Sequence, residues 1–400
     1  MKQRERNIVS MDVGNMHIKV LVGSYSEPVQ LSKPFFELQG ATVPMQGISR
    51  QGVVTHKKNL THTMRRALDA LSSFSGYDID EMLLSYTHPD ICFFKKTIGL
   101  QDIQSRSSVH ITEQWLATQK EKIQERIHRT HRHKKCAYFA IVSLIADGEE
   151  ILYDPYEFTA TKSLHLTYVY LLAPGAFLGA LLESAEHIAA IRMAQPAAII
   201  NGALLSDRQK EQGVVVCDIG TEFTNITIYQ NGVPAGVRVL PFGGNTITNA
   251  IALLKKVSPE EAEQYKLALT TEDSPLKKQD VQRINKKITL TLKKCLLPYL
   301  KEIDAQKDFP GGVMLLGKGS LYPAMDVLVE KAIGLHSFYA KTPYHIQSQR
   351  HTHQTAWHTA YAALCGAVAR QDHGSAVYYE KPSFLEKIMG VLHTALKILR

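Results

Sequence analysis

Cysteine is scarce and scattered in this chain. The five residues, Cys92, Cys136, Cys217, Cys295 and Cys365, are odd in number and never form a C-x-x-C pair. That spacing argues against a disulfide framework or a zinc site and reads as reduced thiols in a cytoplasmic protein. Long apolar runs are missing too. The longest, Tyr168 to Leu182, carries Pro174 and Gly175 in its middle; it reads as a strand, a turn and the start of a helix, not as a membrane span. Asp12 breaks the first apolar run too early for a signal peptide. Acidic residues are outnumbered, 38 Asp and Glu against 46 Lys and Arg, which gives a net charge of +8. The excess suits an acidic partner, either nucleic acid or an anionic membrane surface, and says nothing about fold. Four hundred residues at 44% apolar content exceed one compact core, so two or more domains are expected.

The most informative stretch is residues 213 to 229, GVVVCDIGTEFTNITIY. Val214 to Cys217 read as a buried strand. Asp218 and Gly220 interrupt it, and Thr224 to Tyr229 return to alternation, so a second strand follows a tight turn. Glycine in such a turn lets backbone N–H groups approach an anion. Thr221 and Thr224 add hydroxyls, and Asp218 is placed to hold a cation or its water. A nucleoside triphosphate needs this chemistry: amide donors for phosphate and a carboxylate for Mg2+. A lone D-x-G hairpin is also an ordinary turn. Residues 8 to 23, IVSMDVGNMHIKVLVG, repeat the order: apolar strand, Asp12, Gly14, Asn15, returning strand, with Lys19 seven residues after Asp12. Two such hairpins suggest two lobes closing on one phosphate chain.

These hairpins resemble the phosphate-1 and phosphate-2 motifs of the actin-like ATPase superfamily. The D-x-G-x-x-x-x-K spacing from Asp12 to Lys19 is similar to the version in actin and FtsA, and the rest of the chain narrows the resemblance to the FtsA family. Residues 7 to 35 read as a strand meander, followed by a helix from Leu60 to about Ser73 with Asn59 as its cap. Residues 82 to 100 are strand-like. Thr112 caps a long polar helix, and strands Tyr138 to Ala146 and Leu164 to Leu172 follow. This insert resembles the 1C subdomain of FtsA and PilM. The basic run RIHRTHRHKK, residues 126 to 135, reads as a solvated helix end, with a nucleic-acid or phospholipid patch as the alternative. No carboxylate or Cys partner accompanies His128, His131 and His133 in sequence. A helix from about Gly175 to Ala194 is expected, stopped by Gln195-Pro196, with a short helix over Ala197 to Leu205. By resemblance this is the first connecting helix, and Gln195 is the candidate to orient a catalytic water; a structural Gln before Pro is the alternative.

Pro241 to Asn245, PFGGN, ahead of a helix makes a further phosphate loop through Gly243, Gly244 and Asn245. Glu263 and Lys266, one turn apart, form a routine helix pair by themselves; in this motif order they resemble the superfamily's ribose-contacting pair. Residues 272 to 308 are helical and basic, with Arg283, Lys286, Lys287, Lys293 and Lys294. Their position resembles subdomain 2B, where FtsA receives the tail peptide of FtsZ. Lys286 and Lys287 stand where acidic residues are expected, so no particular contact residue carries over. Residues 311 to 320, GGVMLLGKGS, resemble the adenosine motif through Gly317, Gly319 and Ser320, with Lys318 in place of a glycine. Residues 355 to 370 resemble the second connecting helix.

Residues 371 to 383 read as a linker. In residues 384 to 400, Phe384, Leu385, Ile388, Met389, Val391, Leu392, Leu396, Ile398 and Leu399 fall, with Ala395, within one arc of about 180° at helical spacing. A polar face opposite suits a helix about 26 Å long that lies in a membrane interface without crossing it. FtsA ends in such a membrane-targeting helix; PilM does not.

The resemblance implies an α/β, two-lobed actin-like ATPase fold with ribonuclease H-like lobes. Residues 7–81 and 169–205 would form lobe 1, 82–168 the inserted 1C-type subdomain, 206–253 and 305–370 lobe 2, 254–304 a 2B-like subdomain, 371–383 a linker and 384–400 the amphipathic helix. It implies ATP and Mg2+ as ligands, with Asp12 and Asp218 organising the metal and Lys19 neutralising phosphate. Gly14, Asn15, Gly220, Thr221, Thr224 and the loop from Gly243 to Asn245 would supply donors. Implied partners are the FtsZ tail, other copies of the chain in protofilaments, anionic lipids at the cytoplasmic face of the division site, and other division proteins through the 1C-like insert; nucleic acid is not favoured. Any ATPase activity would be weak. FtsA usually reads D-I-G-x-G-T-T-D, whereas Glu222 here replaces the second glycine and Asn225 the last Asp. The alternatives are a PilM-like or other actin-like scaffold, or a sugar-kinase-type phosphotransferase, for which no general base is evident.

Overall fold

The computed structural model describes residues 4–27, 34–35, 37–49, 51–76, 79, 81–99, 108–150, 159–269, 274–303, 309–342, 345–348 and 354–371. Strands β1 (Arg4–Val13), β2 (His17–Glu27) and β3 (Glu37–Pro44) form an antiparallel meander. Side chains alternate along β1: Val9, Met11 and Val13 face one core, while Ile8 belongs to the core on the opposite face. Ser10 shares the face of Ile8, and its hydroxyl donates to the Ala360 carbonyl at 2.8 Å. The two-residue period carries Asp12 onto that same face. Helix α1 (Lys57–Ser75) covers the other face. It begins at His56, not at the expected Asn59 cap. Asn59 lies in the first turn, where its carbonyl accepts from the Thr63 hydroxyl at 2.7 Å. Strand β4 (Glu81–Tyr86) then pairs parallel to β1.

A second, smaller sheet follows. Its strands are β5 (Cys92–Gly99), β7 (Lys134–Ala146), β8 (Glu149–Glu150) and β10 (Leu164–Pro174), in the order β5-β10-β7-β8. The short strands β6 (Val109–His110) and β9 (Thr159–Ala160) pair beside it. Helix α2 (Glu113–Thr130) starts where Thr112 accepts from the Trp115 amide, and buries Ile123 and Ile127 against Phe139, Leu166 and Tyr168. Its basic end is solvated, with Arg126, His128, Arg129, Arg132 and His133 exposed.

The chain returns through α3 (Gly175–Glu186), β11 (Ala190–Pro196), α4 (Ala197–Ile200), a 3-10 turn (Asn201–Leu204) and α5 (Asp207–Gln212). The expected helix to Ala194 thus ends early. Residues 190–196 add a parallel strand beside β4, burying Ile191, Met193 and Gln195 in alternation. The open edge of β4 overrides local helix propensity here.

The second lobe repeats the first. Strands β12 (Val214–Ile219), β13 (Thr224–Gln230) and β14 (Val233–Leu240) form a meander. Helices α6 (Gly244–Lys255), α7 (Pro259–Ala268) and α8 (Lys278–Ile303) follow. Strand β15 (Val313–Leu316), helix α9 (Met325–Ile333) and strand β16 (Ser337–Tyr339) complete the lobe. The strand order β14-β13-β12-β15-β16 matches β3-β2-β1-β4-β11 in the first sheet. Val215, Cys217 and Ile219 face the helices of this lobe, whereas Val214 and Val216 face the other way. Asp218 falls on the face of Val214 and Val216, as Asp12 does on the equivalent face of β1. Strand β17 (Gln347–Ser348) joins the edge of β3. Helix α10 (His358–Gln371) packs its small residues, among them Ala360, Ala362 and Ala363, on the first sheet. The linker beyond Gln371 and the amphipathic stretch 384–400 lie outside the described residues. Among the described residues, no helix is long and apolar enough to cross a membrane.

Candidate functional site

The hairpin register explains the Asp12 to Lys19 spacing. Residues 12 and 19 stand opposite each other across β1 and β2, and the turn between them closes with the Gly14 amide donating to the His17 carbonyl at 3.1 Å. Asn15 sits half-buried in that turn. The Lys19 ammonium lies 2.5 Å from Asp12 Oδ2. On the other side of Asp12, the buried Ser85 of β4 donates to Oδ1 at 3.0 Å. The carboxylate is held from both flanks. Burial acts to lower the Lys19 pKa, but the charge and hydrogen bond of Asp12 and the charge of Asp218 prevail and raise it.

The second hairpin holds Asp218 differently. Its Oδ2 accepts from Asn201 Nδ2 and from Asn225 Nδ2, each at 3.2 Å. Asn225 Nδ2 also donates to the Thr87 hydroxyl at 2.9 Å, so one amide group ties the second lobe to the loop after β4. Burial raises the Asp218 pKa first, and Asp12 raises it further; Lys19 and the two amide bonds oppose. Asp12, Lys19 and Asp218 are thus within electrostatic reach of one another across the two lobes.

Around this centre the loop of Gly243 to Asn245 is closed upon the turn of Gly220 to Phe223. The Gly220 amide donates to the Phe223 carbonyl, the Gly244 amide to Gly220 and the Asn245 amide to Thr221, at 2.9, 2.9 and 2.8 Å. The Gly243 amide donates to the Thr246 hydroxyl, and the buried Thr224 hydroxyl to the Phe242 carbonyl. These amides are engaged within the loop. The Thr221 hydroxyl makes no hydrogen bond among the described residues. Glu222 turns to the side-chain amide of Asn245, which donates to it at 2.5 Å. Lys266 reaches the same loop: its ammonium lies 2.7 Å from Glu263, 2.9 Å from the Thr248 hydroxyl and 3.2 Å from the Gly244 carbonyl. The Glu263–Lys266 pair is therefore docked on the start of α6.

The turn after β15 packs directly on the Asp218 strand. Gly317 has φ +81, and a side chain there would begin 2.5 Å from both Asp218 Oδ1 and the Ile219 carbonyl. At Gly319 it would meet Ile219 Cγ2 at 2.4 Å. Ser320 closes the turn, its hydroxyl donating to the Gly317 carbonyl at 2.7 Å. Gly317→Ala is expected to lower the thermal midpoint measurably. With ψ 157, Gly317 occupies a glycine-only region of backbone space, costing another residue on the order of 1–3 kcal/mol. A melting curve unchanged from the parent would mean that the turn is not held against β12.

Gln195 stands opposite Ser85 in the β4–β11 register and is 1% exposed. The structure brings together residues that the sequence does not connect: Ser85, Thr87, Asn201 and Thr248. Each reaches the site through strand register or a long-range turn, which leaves no local spacing to read. The site also fits a hydrated Mg2+. Asn201 Oδ1 and Asn225 Oδ1 are buried beside Asp218 without a hydrogen-bond partner, and such acceptors suit water or the hydration shell of a cation. Among the described residues no three His, Cys, Asp or Glu side chains cluster for direct ligation. Mg2+ characteristically keeps several waters and uses one or two carboxylates.

Residues 215–366 match the family described as Cell division protein FtsA. The FtsA of Bacillus subtilis (strain 168) is 24% identical over 354 residues, which cover 81% of this chain and 76% of that protein. The FtsA of Borreliella burgdorferi is 22% identical over 365 residues, covering 81% and 82%. In structure, a PilM-PilN type IV pilus biogenesis complex aligns over 91% of this chain and 98% of that one, with a TM-score of 0.62 at 14% identity, a likeness of fold alone. The repeated five-strand order, with one hairpin aspartate in each sheet, and these similarities support an FtsA-type, actin-like ATPase.

Proposed function

We propose that this chain is a cell-division, actin-like protein that binds ATP with Mg2+ between its lobes, polymerises, and tethers FtsZ to the cytoplasmic face of the membrane. The observation that carries the nucleotide part is the pair of equivalent hairpin aspartates, Asp12 and Asp218, each held in place by neighbouring side chains. Lys19 and Ser85 fix the orientation of Asp12, and Asn201 and Asn225 fix that of Asp218. Both carboxylates are thus positioned to accept hydrogen bonds from metal-bound water. When bound, Mg2+ supplies neutralisation of phosphate charge. The Thr221 hydroxyl is the available donor of the phosphate-2 turn. The Glu263–Lys266 pair, on its helix beside the glycine loop, is the ribose contact in this reading, with Gly317, Gly319 and Ser320 against the adenosine. Gln195 is the residue assigned to orient water in any slow hydrolysis.

The partner surfaces follow from charge. Helix α8 exposes Arg283, Lys286, Lys287, Leu290, Lys293 and Lys294 along one side. A basic stripe with one large apolar residue at its centre suits an acidic peptide with an apolar anchor. We assign it to the FtsZ tail. The membrane contact is assigned to residues 384–400. Liposome flotation with FtsZ from the same source tests both assignments. FtsZ is expected to float with the full chain and to stay at the bottom with residues 1–383. If the full chain floats without FtsZ, the membrane role stands and the adaptor role falls.

A further inference from the structure

Lys318 is the one charged residue of the turn Gly317–Ser320. It lies between Gly317 and Gly319, where an added Cβ would meet Asp218 Oδ1 and the Ile219 and Gly220 carbonyls. Lys318 itself has no left-handed backbone angle, so the side chain is carried without strain. The turn therefore carries a lysine between two glycines that pack on the strand of Asp218. No carboxylate pairs with it among the described residues. By contrast, Lys19 is held by Asp12, Lys266 by Glu263 and Lys255 by Asp280. Lys318 is exposed as a residue, yet its ammonium is partly desolvated and feels the charge of Lys19, both of which lower its pKa. The two lysines, one from each sheet, are thus within electrostatic reach of each other.

Charge counting gives this arrangement a consequence. Asp12, Asp218 and Lys19 alone leave one net negative charge at the centre, which repels a polyphosphate unless a divalent cation enters with it. An unpaired ammonium on the adenosine side brings that sum to zero. Glu222 adds a carboxylate at the rim, but it is turned to the Asn245 side chain. Asn225, beside Asp218, is neutral and bonds with its amide.

We propose that Lys318 is a second phosphate-binding cation, which with Lys19 grips the polyphosphate of a nucleotide from both lobes and lets it bind without a divalent metal. The inference rests on the nucleotide reading above and adds to it the residue that relieves the metal requirement. Lys318 takes the phosphate charge that Lys19, engaged with Asp12, takes only in part.

The test is a titration of the full chain with the fluorescent nucleotides mant-ATP and mant-ADP, in Mg2+ and in EDTA. The parent is compared with Lys318→Gly, Lys318→Gln and Lys318→Arg, and thermal melting verifies that each variant is folded. The parent and Lys318→Arg are expected to bind in both conditions. Lys318→Gly and Lys318→Gln are expected to lose about tenfold or more in EDTA but no more than about threefold in Mg2+, since a unit charge in a partly desolvated site acts at an effective dielectric near 20. Equal binding by parent and Lys318→Gly in EDTA would overturn the assignment, as would a parent that binds only with Mg2+. A parent that binds in neither condition overturns the nucleotide reading itself, and this inference with it.

Discussion

Asp12→Ala is expected to destabilise the first lobe by about 3–5 kcal/mol even with no nucleotide present, the scale for removing one partner of a buried ion pair. The Lys19 side chain is 18% exposed and its ammonium lies 2.5 Å from Asp12. Removing the carboxylate takes away the ammonium's bonded counter-charge and leaves the buried Ser85 hydroxyl only the Met11 carbonyl, at 3.5 Å, to donate to. The pH dependence has a definite sign. Lys19 is held above its ordinary value of 10.5, so the stabilisation is complete below that pH and is lost as pH rises through the folded value. In Asp12→Ala this loss above 10.5 should shrink, because burial then lowers the lysine against the charge of Asp218 alone. Urea unfolding followed through Trp357, buried in the first-lobe core, measures the effect. The double variant Asp12→Ala, Lys19→Met should recover most of the loss, since it removes the stranded charge as well. If the double variant is as unstable as the single one, the penalty comes from the vacated space near Ser85 and not from the lysine.

This comparison also explains what could be read before the fold was known. Asp12 and Lys19 are legible as a pair because a tight hairpin makes sequence spacing into strand register: 12 opposes 19 as 13 opposes 18. Asp218 is legible from the same strand–turn–strand pattern. The two connecting segments are harder. Residues 190–196 carry Ala, Arg and Met, good helix residues, and the β4 edge makes them a strand. A helix ending at Gln195 would have aimed that side chain from a cap; the strand buries it opposite Ser85 instead. The glycine loop teaches a related lesson. Glycines at 243 and 244 suggest amides presented to phosphate, yet those amides and that of Asn245 are bonded to Thr246, Gly220 and Thr221. At Gly243 a side chain would meet the Thr221 carbonyl at 2.4 Å, so the glycine is required by close packing of the two loops. Ser85, Thr87 and Asn201 carry no motif at all. Their roles arise because parallel strand pairing and the turn after α4 bring distant residues to two carboxylates.

Asp218→Asn is expected to move stability and nucleotide affinity in opposite directions. Asp218 is 8% exposed, and its pKa is raised by burial and by Asp12 more than Lys19, Asn201 and Asn225 lower it. A carboxyl with a raised folded pKa adds stability below its ordinary value of 3.8 and loses it as pH rises through the folded value. At neutral pH the ionised side chain is therefore a burden on the protein without ligand. Asparagine is uncharged, and its carbonyl can still accept from Asn201 and Asn225, so the variant should melt above the parent near pH 7. The midpoints of the two should converge as pH falls through the titration of Asp218. Affinity for mant-ATP with Mg2+ should fall by about 10- to 100-fold, the usual effect of removing a group that orients a metal's ligands. Thermal melting from about pH 3, below the ordinary carboxyl value, upward to neutral pH follows the first effect, and the titration with Mg2+ reads the second. A variant less stable than the parent throughout would mean that Asp218 is satisfied by its two amides in the absence of ligand. A rise in stability with unchanged affinity would place the phosphate and metal elsewhere. Both effects together would identify Asp218 as a charge kept under strain by the fold until a cation and its phosphates arrive.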